Sequence, residues 1–170
     1  IKIAESAAPA MALAFDDIDE NVMHDPPRKH NEPILPHRYK AFILFYSIIM
    51  DITLFILFLY IWKTTNAISF ARTFAFAGLG FSSFFFIFSA RSLKTHVFGL
   101  NPLQNKYVLT STGIGILFLL IAIYVPFFHT NILFTTPFGI FEWGILFVYT
   151  AQSIFVFELG KRIFLMKKNR

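Results

Sequence analysis

Four long apolar stretches constrain the fold of this 170-residue chain more than any other feature, and they cover about residues 41–62, 68–90, 107–128 and 141–165. Each is as long as the roughly 20 residues that an α-helix needs to cross a bilayer, and none alternates apolar with polar residues as a barrel strand does. The third stretch is expected to end at Pro126. The sequence therefore predicts an all-α, multi-pass transmembrane helix bundle with four full spans.

The composition fits a membrane protein and excludes several other classes. Hydrophobic residues make up 56% of the chain, 24 of them Phe, and only 15% of residues are charged, which is more apolar surface than a soluble domain can bury. With no cysteine and no histidines at short metal-ligand spacing, no metal site is expected. The net charge of +5 comes from residues beside the spans rather than from one basic surface, so we expect no nucleic-acid partner.

The basic residues also predict how the spans are oriented. Twelve of them lie in one set of loops and ends and two in the other, and such an excess marks the cytoplasmic side. The larger group is Arg28, Lys29, Arg38, Lys40, Arg91, Lys94, Lys106, Lys161, Arg162, Lys167, Lys168 and Arg170, and the smaller is Lys63 and Arg72. Loops 16–40 and 91–106 and the basic tail 166–170 are therefore predicted to be cytoplasmic.

Residues 1–15 are apolar but too few to cross a bilayer. The chain begins with Ile1, and no secretory signal pattern follows it. We interpret residues 1–15 as the end of a truncated transmembrane helix, in a chain that starts partway through a larger protein.

The polar segment that follows has a recognisable order of motifs. Six short motifs follow one another before the first full span. In order they are Pro9-Ala10, Ala12-Leu13, an acidic run over 16–20, Met23, Pro26-Pro27-Arg28 and Glu32-Pro33-Ile34. This order resembles the cytoplasmic loop after the sixth transmembrane helix of P-type cation-transporting ATPases. Further matches to that family are Ala71-Arg72-Thr73, Ser89-Ala90-Arg91-Ser92, Tyr124-Val125-Pro126, Trp143 and Glu158-Leu159 with Lys161.

The resemblance implies a division of the chain into the end of helix six (1–15), a cytoplasmic loop (16–40), a four-helix C-terminal membrane domain (41–165) and the tail. It implies as partners the lipid bilayer and the remaining transmembrane and cytoplasmic domains of a pump. The family's phosphorylated Asp, nucleotide-binding and actuator regions are not in these 170 residues, so this segment alone cannot hydrolyse ATP. No cofactor is expected in the segment, and ATP and Mg are implied only for the parent pump.

The resemblance also places candidate ion-pathway residues. In the calcium-pumping branch, ion ligands lie in an Asn-x-x-Thr-Asp-Gly segment just before the Pro-Ala of helix six, together with a Glu in helix eight. The corresponding residues here are Lys2, Glu5, Ser6 and Ala7, and Ser83 takes the place of the Glu. Calcium favours six to eight oxygen ligands, so two hydroxyls and one carboxylate beside an ammonium group suit a proton or a monovalent cation better.

Two roles remain open for Lys2 and Glu5, which are three residues apart and can pair on a helical turn. Lys2 either acts as a built-in cation with Glu5 as its proton or monovalent-cation partner, or neutralises Glu5 without a part in transport. Asp51 lies mid-span, where a charge is costly, and is either an ion-pathway residue or a packed, protonated or hydroxyl-bonded carboxyl near Ser47 and Thr53.

At the end of the last span, Glu158 precedes Lys161 and Arg162 by three and four residues, which predicts a local ion pair rather than an ion site. The leading function is thus the C-terminal membrane domain of a P-type cation-transporting ATPase, supporting ATP-driven ion translocation. The alternative is a stand-alone, non-catalytic membrane scaffold or regulatory protein derived from such a pump.

Overall fold

The computed structural model of the chain describes Met11, Ala12, Ala14, Pro33 and residues 35–91 and 105–165. Within these residues all regular secondary structure is helical, which confirms the predicted all-α class. The elements are α1 (His37–Thr65), α2 (Ile68–Ala90), α3 (Lys106–Tyr124), α4 (Pro126–Asn131), α5 (Ile140–Gly160) and a π-helical turn (Lys161–Leu165) that continues α5. Four of the helices are long and apolar enough to cross a membrane, namely α1, α2, α3 and α5 with its π-helical turn.

The first two spans form a hairpin because α1 ends in a tight backbone reversal. Pro36 precedes α1 with extended dihedrals, and Asn66 closes it in the left-handed conformation (φ 51°) with its N–H donated to the Trp62 carbonyl. Asparagine tolerates this conformation better than most residues, which makes it a favourable helix terminator. With only Asn66 and Ala67 between them, α1 and α2 run antiparallel as neighbours.

The third span is shorter than predicted. Asn105 caps its start, since the side-chain Oδ1 accepts hydrogen bonds from the N–H groups of Tyr107 (2.9 Å) and Val108 (3.0 Å). The helix ends at Tyr124, and Pro126 opens the short helix α4 instead of closing the span. Proline favours the first position of a helix because it lacks the N–H that would have no partner there. The boundary predicted at residue 128 is therefore four residues too late.

Helix α2 lies at the centre of the bundle and packs against α1, α3 and α5. In its most apolar 18-residue window 56% of the residues are buried, whereas in that of α1 the share is 17%. Gly78 permits this close packing, because a Cβ there would lie 2.8 Å from Leu54 Cδ1 of α1. The largest fully buried apolar side chains are Phe74, Phe84, Leu119, Ile123 and Leu146, which join α2, α3 and α5.

Of the truncated helix predicted over residues 1–15, Met11, Ala12 and Ala14 are described; Met11 and Ala12 are α-helical and Ala14 is in a 3₁₀ turn. Ala12 is buried against Ile87 of α2 and Val108 of α3. This contact places Ala12 beside α2 and α3. The domain boundaries assigned from the sequence stay predictions.

Candidate ion-pathway residues

Two of the five candidate ion-pathway residues are in the described part of the chain. Asp51 lies on α1 and Ser83 on α2. Lys2, Glu5 and Ser6 are outside the described residues. The structure therefore shows the surroundings of Asp51 and Ser83, and the pairing of Lys2 with Glu5 stays a prediction.

Asp51 is exposed on the surface of the bundle, in the middle of α1. Its neighbours on the same surface are Ile48, Ile52 and Phe55, each more than half exposed. The carboxylate has no hydrogen bond or ion pair to another described residue, although its charge is near enough to act on Tyr46 and Tyr149. A carboxylate facing lipid at this depth would cost about 2.5–3.5 kcal/mol on insertion scales, so this surface suits contact with protein or water better than contact with lipid.

Ser83 is half-buried on α2, and its hydroxyl donates to the Leu79 carbonyl one turn earlier at 2.6 Å. A serine that bonds back to its own helix in this way satisfies its donor, while the hydroxyl oxygen can still accept a hydrogen bond or contact a cation. No hydrogen bond joins Ser83 to Asp51. Among the described residues these two candidates therefore form no common site.

The structure reveals an interhelical polar bond that the sequence analysis missed. Gln152 of α5 donates its side-chain N–H to the hydroxyl of Thr53 on α1 at 2.9 Å. The Thr53 hydroxyl in turn donates to the Ile49 carbonyl at 2.8 Å. The hydroxyl proposed as a partner for Asp51 is thus already engaged as both donor and acceptor.

Other polar side chains continue this contact between α1, α2 and α5. The Tyr149 hydroxyl approaches the Met50 carbonyl at 3.5 Å and lies near Ser82, and Tyr46 lies near Ser153. We call this set the polar seam; its members are Tyr46, Thr53, Ser82, Tyr149, Gln152 and Ser153. Gln152 and the two tyrosines interrupt apolar runs in the sequence, so a search for polar residues within each span would have found them.

The predicted ion pair at the end of the last span is present. Lys161 Nζ lies 2.8 Å from Glu158 Oε1 and 5.3 Å from the centre of the Phe157 ring. The Lys161 side chain is fully buried and that of Glu158 is 14% exposed, whereas Arg162 is exposed. The pair joins the last turn of α5 to the π-helical turn, as a structural contact of the helix end.

The described part of the chain lacks a cluster of metal ligands. Among residues 35–91 and 105–165, no three His, Asp or Glu side chains come close enough together to hold a metal ion. In these ranges Asp51 and Ser83 stand apart from any preformed ligand group. A cation bound at either residue would need further ligands from outside these ranges.

Comparison with known proteins gives the family of this chain. A family model described as "Cation transporting ATPase, C-terminus" matches residues 1–163. A calcium-transporting ATPase of Bacillus subtilis is 28% identical over 135 residues, which cover 76% of this chain and 15% of that protein. Calcium-transporting ATPase 1 of Saccharomyces cerevisiae is 26% identical over 170 residues, covering 99% of this chain and 18% of the relative.

The residues matched by the family model contain all four helices of membrane-spanning length in the described part of the chain. The match includes α1, α2, α3 and α5, the four helices suited to span a membrane, and the helical residues Met11 and Ala12 before them. The chain spans less than a fifth of the length of the two relatives described above. It is an integral membrane protein segment that belongs to the family of cation-transporting ATPase C-terminal domains.

Proposed function

We propose that this segment supports ATP-driven movement of a cation across a membrane, as the C-terminal membrane domain of a P-type ATPase. The observation that carries the proposal is the family match over residues 1–163, together with four helices of spanning length. ATP and Mg would act in the parts of the pump that lie outside these 170 residues. In our proposal loops 16–40 and 91–106 and the C-terminus lie in the cytoplasm, which the excess of basic residues supports.

The packing of the bundle suits a bracing role. Helix α2 contacts three other spans, and its buried Phe74 and Phe84 belong to one continuous apolar core with Leu146 of α5. A densely packed core transmits displacement instead of absorbing it. The segment would therefore hold the neighbouring transport helices in place while they alternate between inward and outward access.

For the transported ion we propose a proton or a monovalent cation. The proposal rests on the sequence resemblance, by which Lys2, Glu5, Ser6 and Ser83 correspond to the ion ligands of the family's calcium pumps. These residues supply a single carboxylate. Calcium is the second candidate, because the relatives described above are named as calcium-transporting ATPases. The two candidates differ in the charge that the site must neutralise, so they can be separated by experiment.

The ion is tested on the full-length pump reconstituted in vesicles. We expect ATP hydrolysis to respond to pH or to monovalent cations and to be indifferent to calcium chelation. Lys2→Ala should lower that ion-stimulated rate at least tenfold, because the built-in cation is lost. A rate that requires micromolar calcium would contradict the proposal for the ion while leaving the pump assignment intact. An unaltered response in Lys2→Ala would contradict the built-in-cation role of Lys2 and favour its neutralising Glu5 without a part in transport.

A transport role for Asp51 is tested in the same assay. Asp51→Asn keeps the size and shape of the side chain but removes its charge. If Asp51 lies on the ion pathway, we expect ion-stimulated ATP hydrolysis to fall at least tenfold. Ile52→Ala, at the neighbouring exposed position, is the matched control and should retain activity. Equal activity in Asp51→Asn and the wild type would remove Asp51 from the pathway.

The coding sequence upstream of Ile1 tests the assignment to a pump. We expect a continuous reading frame that encodes an Asp-Lys-Thr-Gly phosphorylation motif and the preceding transport helices. A start codon immediately before Ile1 would instead indicate a stand-alone membrane scaffold derived from a pump.

A further inference from the structure

A cavity of about 160 Å³ lies between α2 and the segment that joins α4 to α5. It is at the end of the bundle opposite the buried Lys161, because it adjoins the first turns of α2. One cationic residue, two threonines and three large apolar residues line it, namely Arg72, Thr73, Phe76, Leu133, Phe134 and Thr135. The transport function proposed above does not use this cavity.

The walls of the cavity are fixed by hydrogen bonds between distant parts of the chain. The hydroxyl of the buried Thr73 accepts from the Thr136 N–H at 2.9 Å and donates to the Ser69 carbonyl at 2.9 Å. The Thr135 hydroxyl donates to the Ala122 carbonyl of α3 at 2.6 Å. The loop is therefore tied to α2 and to α3, and the cavity is preformed rather than dependent on a ligand to order it.

Arg72 is exposed and brings an uncompensated positive charge to this cavity. The described part of the chain has three carboxylates, and all are elsewhere or engaged. Asp51 is in the middle of α1 and Glu158 is paired with Lys161, while Glu142 accepts the Gly139 N–H at 2.8 Å. Arg72 forms no ion pair with a described residue, so its guanidinium is available to an anion that enters the cavity.

Phe134 at the rim has an unusual backbone. Its φ is 52°, in the left-handed region that a bulky residue rarely occupies, and 69% of its side chain is exposed. Such a conformation costs on the order of 1–3 kcal/mol and persists where the surroundings impose it. It places an aromatic side chain at the mouth of the cavity, next to Leu133 and in the same lining as Phe76.

From these features we propose that the cavity binds the phosphate of an anionic phospholipid headgroup. The guanidinium of Arg72 presents parallel donors that match two oxygens of a phosphate. The apolar half of the lining, with Phe76, Leu133 and Phe134, offers contact to the glycerol and the upper acyl chains. This mixed lining favours a lipid over a free phosphate ion, which would gain nothing from three apolar side chains.

The net charge of the site favours an anionic lipid over a zwitterionic one. Because the lining contains no carboxylate, it has no partner for the ammonium group of a choline or ethanolamine headgroup. The position suits a lipid as well, since Arg72 lies one turn inside a helix that spans the bilayer, where headgroups meet hydrocarbon. The inference depends on the membrane location of the chain and is independent of which ion the pump carries.

The test uses the full-length pump in nanodiscs of phosphatidylcholine containing a fraction of phosphatidylglycerol, with retained lipids counted by native mass spectrometry. We expect Arg72→Gln to reduce retention of phosphatidylglycerol at least fivefold. Lys63→Gln is the matched control, because Lys63 is an exposed cation at the same end of the bundle that does not line the cavity. It should stay within twofold of the wild type. Equal retention in Arg72→Gln and the wild type would overturn the proposal.

A second variant keeps the test decisive if Arg72→Gln does not fold. Leu133→Glu leaves Arg72 in place and gives it a carboxylate from within the cavity, so it should also expel the lipid. Retention of phosphatidylglycerol by a folded Leu133→Glu protein would contradict the proposed site. Inorganic phosphate at millimolar concentration should leave the bound lipid in place; displacement by phosphate alone would show that the ligand is a soluble anion and not a lipid.

Discussion

Gln152 donates its side-chain N–H to the hydroxyl of Thr53 at 2.9 Å, and this bond joins α5 to α1 within their membrane-spanning parts. The contribution of a polar contact between spans to stability depends on whether its two partners keep other hydrogen bonds when the contact is broken. Here the Thr53 hydroxyl keeps its bond to the Ile49 carbonyl at 2.8 Å, whereas the Gln152 amide loses a partner.

We therefore expect a modest and measurable coupling between these residues. In the full-length pump Thr53→Val should lower the free energy of unfolding, and a double-mutant cycle with Gln152→Leu should give a coupling of about 0.6 kcal/mol, the average for such bonds in membrane proteins. Thermal or denaturant unfolding in detergent measures it. Strictly additive effects of the two substitutions would show that the bond contributes nothing to stability.

A second prediction concerns two glycines of α3. A Cβ at Gly115 would overlap the ring of Phe84, which is fully buried and cannot swing aside, whereas a Cβ at Gly113 would meet nothing within 4 Å. Gly115→Ala should destabilise the protein by about 1–3 kcal/mol, the range for overpacked cores. Gly113→Ala is the control on the same helix and should be neutral or slightly stabilising. Equal melting temperatures for the two variants would contradict the close packing of α2 against α3.

The third prediction addresses the buried pair at the end of α5. Glu158→Gln should destabilise the protein by about 3 kcal/mol, because it removes the carboxylate that compensates the fully buried Lys161 ammonium group. Arg162→Gln, at the exposed neighbouring position, should change stability by less than about 0.5 kcal/mol. Unfolding of the purified pump measures both, and a Glu158→Gln protein as stable as the Arg162→Gln control would refute the structural role of the pair.

The fourth prediction concerns the loop between α4 and α5. The Tyr124 hydroxyl accepts from Trp143 Nε1 at 2.7 Å and donates to the Phe138 carbonyl at 3.0 Å. Tyr124→Phe should therefore raise hydrogen exchange of residues 132–139 and cost about 1 kcal/mol, the usual net value of such bonds. Tyr60→Phe, an exposed tyrosine on α1, is the control and should leave exchange in the loop unchanged. Identical exchange in both variants would show that Tyr124 does not restrain the loop.

The spans were predictable because an uninterrupted apolar run of about 20 residues dominates every local preference. The predicted bounds of the second span, 68–90, coincide with those of α2. The helix ends that depend on a single residue were harder to predict. Proline either stops a helix or starts one, and Pro126 starts α4 after a break at Val125.

The site was less predictable than the fold. Spacing alone predicted the pair of Glu158 with Lys161, but not that Lys161 is fully buried, since burial depends on the π-helical turn and on its contacts with α1. Spacing also cannot give the rotation of one helix against another, which decides that Thr53 meets Gln152 while Asp51 points away. Asp51 and Ser83 form no common site within the described residues, so spacing gave no basis for assigning them a shared role.

Because α3 ends at the break before Pro126, the spans of the bundle differ in length. At 1.5 Å per residue, α1 with its 29 residues is about 43 Å long and α3 with its 19 residues about 28 Å. A hydrocarbon layer about 30 Å thick is just crossed by α3, whereas α1 must tilt or extend into the headgroups on both sides. Helix α3 is therefore the shortest of the spans, and a bilayer with a hydrocarbon layer much thicker than about 30 Å would bury the polar ends of this helix first.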